Sequence, residues 1–157
     1  MSVLARRVVT ISAVVALVMA TVVVSALATA TSGRSYRGSP GNNYNLCAEA
    51  EIVTPNMDNN AWTISQDYNT GCWNDNYSAP SGWLGAYAMG YRDGAYCGTT
   101  GFYYNSVSTY RFGVGSVLCS NPSGTQAFKT GADSKGWNPS TLSYVNYTAV
   151  QSPNQNG

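Results

Sequence analysis

The sequence predicts an all-β domain: a small disulfide-stapled β-sandwich or barrel of about seven short strands behind an N-terminal signal helix. Three observations carry this. Helix formers are scarce after the N-terminal segment, where Lys occurs twice and Glu only at Glu49 and Glu51. Tyr, Thr, Val, Ser, Gly and Asn dominate instead and favour strands and tight turns. Several runs alternate with period two between clusters of turn residues.

The chain begins Met1-Ser2-Val3-Leu4-Ala5-Arg6-Arg7, continues without charge from Val8 to Ala28, and passes through Ser25-Ala26-Leu27-Ala28-Thr29-Ala30. A basic start, an apolar stretch and two overlapping A-x-A sites are the pattern of a cleaved secretory signal, residues 1–28. The apolar run of 21 residues exceeds the ~7–15 usual in such signals and approaches the ~20 that span a bilayer. A retained helix, as membrane anchor or filament core, is therefore the alternative. Arg6-Arg7 also fits twin-arginine export, although paired arginines are common in ordinary signals.

Residues 29–45 are polar and rich in Gly, Ser and Asn. With no apolar face to bury, this stretch is expected to be a flexible arm. Residues 151–157 have the same character and are expected to be a disordered tail, leaving 46–150 as the β domain.

Within that domain four alternating faces are expected: Trp62, Ile64, Gln66 and Tyr68; Trp83, Gly85, Tyr87, Met89 and Tyr91; Tyr110, Phe112, Val114, Ser116 and Leu118; and Leu142, Tyr144, Asn146, Thr148 and Val150. Shorter strand candidates are 48–53, 101–104 and 126–129. Turn clusters at 55–60, 69–71, 79–82, 92–94, 121–124 and 134–139 separate them. Asp93-Gly94 is a strong type I′ hairpin dipeptide. A single helix over 83–90 is the rival reading, opposed by Gly82, Gly85 and Gly90.

Four cysteines, Cys47, Cys72, Cys97 and Cys119, follow the export segment. There is no C-x-x-C and no histidine, so disulfides in an oxidising compartment explain them better than a metal site does. Sequential pairing, Cys47 with Cys72 and Cys97 with Cys119, closes two short loops and is preferred for that reason. Spacing leaves the other two pairings open.

The absence of histidine removes the Ser-His-Asp triad, the Cys-His pair and imidazole metal ligation. A cut after Ala28 leaves six Lys and Arg against seven Asp and Glu, so no basic excess points to nucleic acid or to an anionic membrane surface. Glu49 and Glu51 share one strand face about 7 Å apart. A solvated strand face accounts for them more simply than a glycosidase pair. Asp67, Asn69, Asn74, Asp75 and Asn76 carry oxygen ligands suited to Ca²⁺, but an EF-hand loop would need glycine and glutamate where Cys72 and Ser78 stand. Asx turns explain the same composition. No metal and no cofactor is expected. Asn76-Tyr-Ser78 and Asn146-Tyr-Thr148 match the N-glycosylation pattern, as chance allows in an Asn-rich chain.

Aromatics are the largest surplus. All 19 Phe, Trp and Tyr lie after residue 35, and 12 are Tyr. Buried phenols need hydrogen-bond partners, so several are expected at the surface. Trp73, Tyr77, Trp83, Tyr103, Tyr104 and Trp137 are the candidate binding residues. Flat apolar rings beside Asn and Ser form contact surfaces at small entropic cost. In signal style and in its Asn-, Tyr- and Gly-rich cystine domain, the chain resembles small secreted actinobacterial proteins. This likeness is one of general organisation.

The functional expectation is a secreted, non-enzymatic β domain that binds an extracellular protein or assembly through a Tyr-, Trp- and Asn-rich face. The alternatives are a carbohydrate- or cell-wall-binding module, and a membrane-anchored or filament subunit that keeps its N-terminal helix. A membrane is a partner only in that last case.

Overall fold

A computed structural model describes residues 29–68, 71–73, 76–121 and 125–156. The predicted signal segment 1–28 lies outside them, as do Asn69, Asn74 and Asp75 of the calcium-like stretch. Among the described residues no helix is long and apolar enough to cross a membrane.

The fold is all-β. Its strands are β1 (Thr29–Thr31), β2 (Ser35–Gly38), β3 (Tyr44–Val53), β4 (Asp58–Asp67), β5 (Leu84–Arg92) and β6 (Ala95–Thr99), followed by β7 (Tyr103–Tyr104), β8 (Arg111–Val117), β9 (Ala127–Asn138), β10 (Ser143–Gln151) and β11 (Gln155–Asn156). A single 3-10 turn, Pro40–Asn42, precedes β3. One antiparallel sheet has the order β1-β3-β4-β8, with β2 also on β3. The other runs β10-β9-β5-β6, with β11 on β9 and β7 on β5.

Among the described residues eleven strands replace the expected seven because short flanking segments add to sheet edges. The 29–45 segment, expected as a flexible arm, supplies β1, β2, the 3-10 turn and the first residues of β3. It is held by main-chain pairing, which needs no apolar face. Thr29–Thr31 pair with Glu51–Val53, and Ser32 exchanges bonds with Ala50 through its amide (2.8 Å) and its hydroxyl (2.9 Å). The expected tail behaves likewise. The Ser152 amide donates to the Thr130 carbonyl at 2.9 Å, its hydroxyl accepts from the Thr130 amide at 3.0 Å, and β11 pairs with Ala127–Phe128. The rival helix at 83–90 is instead β5, whose glycines and alanines lie in a central strand.

The two sheets meet over an interior of small side chains. Ala48, Ala50, Ala61, Ala88, Ala132 and Val150 form one buried cluster drawn from both sheets. Ile52, Met57, Cys119 and Phe128 fill one end, and Tyr44, Leu46, Ala79 and Leu84 another. Buried polar side chains cross the interior in pairs. Asn59, expected in a turn, is the second residue of β4 and donates to Thr130 Oγ1 at 2.8 Å. Thr63 donates to the Gly85 carbonyl at 2.8 Å.

The disulfides pair sequentially, Cys47–Cys72 and Cys97–Cys119. The first folds the segment after β4 against the outside of β3, over Ile64. The second joins β6 of one sheet to the residues just after β8 of the other. In the chain-entropy model each closes a loop worth about 3 kcal/mol. Asp93 and Gly94 both have positive φ, +49° and +81°, as the expected type I′ hairpin between β5 and β6 requires.

Candidate functional site

The alternation of β5 and β9 decides what the six-stranded sheet shows to solvent. Ala86, Ala88, Ala132 and Ser134 point inward and are fully buried. The intervening positions Tyr87, Met89, Tyr91, Asp133, Lys135 and Trp137 therefore lie on the outer face. The hairpin turn places Tyr96 opposite Tyr91, and their rings meet edge-on at 5.9 Å.

Further rings extend this face into a band. Tyr87 contacts Phe102 at 4.9 Å, and Phe102 contacts Tyr104 at 6.5 Å. Tyr104 meets Tyr144 at 4.8 Å, and Tyr144 meets Trp137 at 5.0 Å. Gly85 makes the Tyr104 position available, since a Cβ there would stand 2.8 Å from the Tyr104 ring. Trp137 and Tyr144 are cross-strand partners on β9 and β10. Neighbouring rings are inclined by 26° to 71°, so they pack on one another and do not form one plane.

Among the described residues three charges lie along this face: Lys129, the cross-strand partner of Tyr91, with Asp133 and Lys135. Lys135 Nζ is 3.9 Å from the centroid of the Phe102 ring. Asp133 is the cross-strand partner of Tyr87; burial raises its carboxyl above the ordinary range, partly offset by Lys135. The Tyr144 phenol is also raised, by burial and by Tyr104, and donates to the Gly82 carbonyl at 2.6 Å.

The structure divides the six candidate residues. Tyr104 and Trp137 lie in the band, bridged by Tyr144. Tyr77 and Trp83 pack inward, stacking on the fully buried Tyr44 at 5.2 and 5.8 Å. The Tyr44 hydroxyl donates to the Trp137 carbonyl at 3.0 Å, and burial drives its phenol far above the ordinary value. Tyr103 points to the other side of β7 from Tyr104 and is 59% exposed. It lines a cavity of about 470 Å³ with Thr99, Thr100, Val114, Ser116 and Leu118. Trp73 is 68% exposed beside Cys72, with the Arg34 guanidinium 5.8 Å from its ring.

Five members of the band, Tyr87, Tyr91, Tyr96, Phe102 and Tyr144, were not among the candidates. The signal for three of them was in the chain. Tyr87 and Tyr91 share an alternating face, and the Asp93-Gly94 turn puts Tyr96 across from Tyr91.

On the outer face of the other sheet, Glu49 and Glu51 do lie side by side. Arg111 pairs with Glu49 at 3.5 Å and its guanidinium is 4.0 Å from the Trp62 ring. Thr31 Oγ1 donates to Glu49 at 2.8 Å. Glu51 accepts from Asn60 at 3.2 Å and from the Trp62 indole at 3.3 Å. Both carboxylates thus serve to tie β1, β3, β4 and β8 together.

Fold and face together define a disulfide-bonded, two-sheet β domain that carries an aromatic band on one sheet. No family model, no curated protein and no solved structure matches this chain.

Proposed function

We propose that this chain is a secreted, non-enzymatic binding domain of sandwich type that engages an extracellular protein or assembly through the aromatic band. The observation that carries the proposal is the inversion of bulk between the two sides of one sheet. Ala86, Ala88, Ala132 and Ser134 fill the middle of the inner side, with Leu84 and Phe128 toward its ends, while Tyr91, Tyr96, Tyr87, Phe102, Tyr104, Tyr144 and Trp137 run across the outer side. Folding does not need large rings there, whereas a binding interface gains apolar area from them at little entropic cost. Lys135 and Asp133 add a charge of each sign for orientation. The two disulfides are compatible with an oxidising, extracellular location.

A protein partner is favoured over a polysaccharide by the tilt of the rings. A flat polysaccharide surface lies on rings that share a plane, and here adjacent rings are inclined. The anchored or filament alternative rests on residues 1–28.

The test is capture from culture medium by the exported protein, followed by mass spectrometry, with Tyr96→Ser/Tyr144→Ser as comparison. A partner held by the natural protein and released about 30-fold more readily by the double variant is expected, the loss of about 2 kcal/mol typical of central aromatics. Equal retention by both proteins would sink the reading. A glycan array run on the same pair decides the carbohydrate alternative. The intact mass of the exported protein reports cleavage near Ala28, and an uncut chain would favour the anchored form.

A further inference from the structure

Strand β8 ends its sheet. It pairs with β4 on one side; on the other, Thr109 just ahead of it is bridged to Ala79 and the Thr109 hydroxyl bonds the main chain of Arg111, while among the described residues no strand pairs with Phe112–Val117. An open edge presents a row of main-chain donors and acceptors that another strand can complete, and proteins commonly blunt such edges with charge, proline, bulges or shortness.

The other sheet edges among the described residues are short, bulged or tied. β1 has three residues and β2 four. β10 is bulged between Tyr147 and Val150, and Arg37 donates to its Thr148 carbonyl at 3.2 Å. β6 has five residues, its pairing with β5 is broken by a register shift between Gly90 and Tyr91, and Cys97 at its centre is tied to Cys119. β8 differs. Phe112-Gly-Val-Gly-Ser-Val117 has no charge and no proline, its pairing with β4 is unbroken, and Gly115–Val117 are exposed. Its one charge, Arg111, is occupied by Glu49 and Trp62.

We propose that β8 pairs with β8 of a second copy of this chain, antiparallel and centred on Val114, joining two sheets into one. The segment is complementary to itself in this register. Gly113 falls opposite Gly115 of the second copy, so no side chains crowd the outer face there. Phe112 falls opposite Ser116, which keeps both inward faces on the same side of the joined sheet. Arg111 falls opposite Val117, so no like charges meet. Val117 is 51% exposed in the free chain. The pairing sets Val117 against the Arg111 stem, and does so twice by symmetry; it stops at Arg111, since Thr109 is already bridged to Ala79. The aromatic band lies on the other sheet and stays open in such a dimer.

Sedimentation velocity of the exported protein from about 1 μM to about 1 mM tests this, a range that covers weak strand-to-strand association. Val117→Lys places Lys opposite Arg111 at both ends of the joint, and Val117→Glu places an opposite charge there. The expected result is a dimer for the natural protein, dimerisation weakened about tenfold or more by Val117→Lys, and none of that loss with Val117→Glu. Near-UV circular dichroism checks that both variants fold. Hydrogen exchange on the natural protein needs no variant: the amides of Gly113, Gly115 and Val117, which alternate away from β4, should gain protection as concentration rises. A monomer throughout overturns the proposal. So does a dimer in which the three proteins behave alike, in which both variants are weakened equally, or in which β8 gains no protection.

Discussion

The Trp62 ring occupies the space that a side chain at Gly113 would take. The two residues are cross-strand partners on β4 and β8, and a Cβ on Gly113 would collide with the indole atoms Cε3 and Cζ3. The Arg111 guanidinium is 4.0 Å from the same ring, and Glu51 accepts from the indole nitrogen. Gly113→Ala should therefore displace the ring from its partners and cost about 1–3 kcal/mol, the range for overpacking. Denaturant unfolding measures the loss, and tryptophan emission should shift to the red. Gly98→Ala is the control: its Cβ would meet only the Leu118 carbonyl, at 3.8 Å, so a change within about 0.5 kcal/mol is expected.

Asn59 should be among the most costly polar residues to remove. Its amide nitrogen donates to Thr130 Oγ1 at 2.8 Å, and its oxygen accepts from the Leu118 amide at 3.3 Å. Asn59→Ala leaves the Leu118 amide and the Thr130 hydroxyl without this partner in a closed interior. About 1–3 kcal/mol should be lost for a buried group left unsatisfied, seen as a lower unfolding midpoint with an unchanged denaturant slope.

The two disulfides should differ in their resistance to reduction. Cys47 and Cys72 are both buried, whereas Cys97 is exposed and only its partner Cys119 is covered. Thiol exchange needs access to a sulfur. Mild reductant followed by alkylation and peptide mapping should label Cys97 and Cys119 first. Removing the first disulfide by Cys47→Ala/Cys72→Ala should cost about 2–5 kcal/mol.

Asp133 sets a pH dependence whose sign follows from its surroundings. Burial raises its folded pKa, with Lys135 lowering it in part. A carboxyl raised on folding holds more protons in the native state than in the unfolded one. Its contribution is therefore fully present below the unfolded value of about 3.9 and is lost as pH rises through the folded value. Asp133→Asn should then be more stable than the natural protein at pH 7, and the gap should narrow as pH falls through the raised folded value and be closed below about 4. Thermal unfolding across that range reads it directly.

Much of the chain's local structure was legible because it rests on local chemistry. Asp93-Gly94 adopts the positive φ pair that its hairpin requires. The scarcity of helix formers and the alternating runs gave strands at β4, β5, β8 and β10. Other features depended on what a segment lies against. The 29–45 and 151–157 stretches looked unable to order because they bury little apolar surface, yet β1, β2 and β11 are held by hydrogen bonds to strand edges far along the chain. Val150 was grouped with Tyr144 on one face. The bulge after Tyr147 turns the strand, so Val150 enters the interior and Tyr144 stays outside.

The amino-acid sequence by itself determined the all-β class, the β5–β6 hairpin and an aromatic surplus larger than a core requires. Those follow from backbone preference and composition, which act over a few residues. Tertiary structure decided which side of each strand is inside. Period two names two faces and does not rank them, and on β5 hydrophobicity alone would bury Tyr87, Met89 and Tyr91. The sheets instead approach through Ala86, Ala88, Ala132 and their neighbours, because small side chains let them pack closely. That exclusion leaves the rings outside, and it places Tyr104 beside Tyr144 across 40 residues of chain.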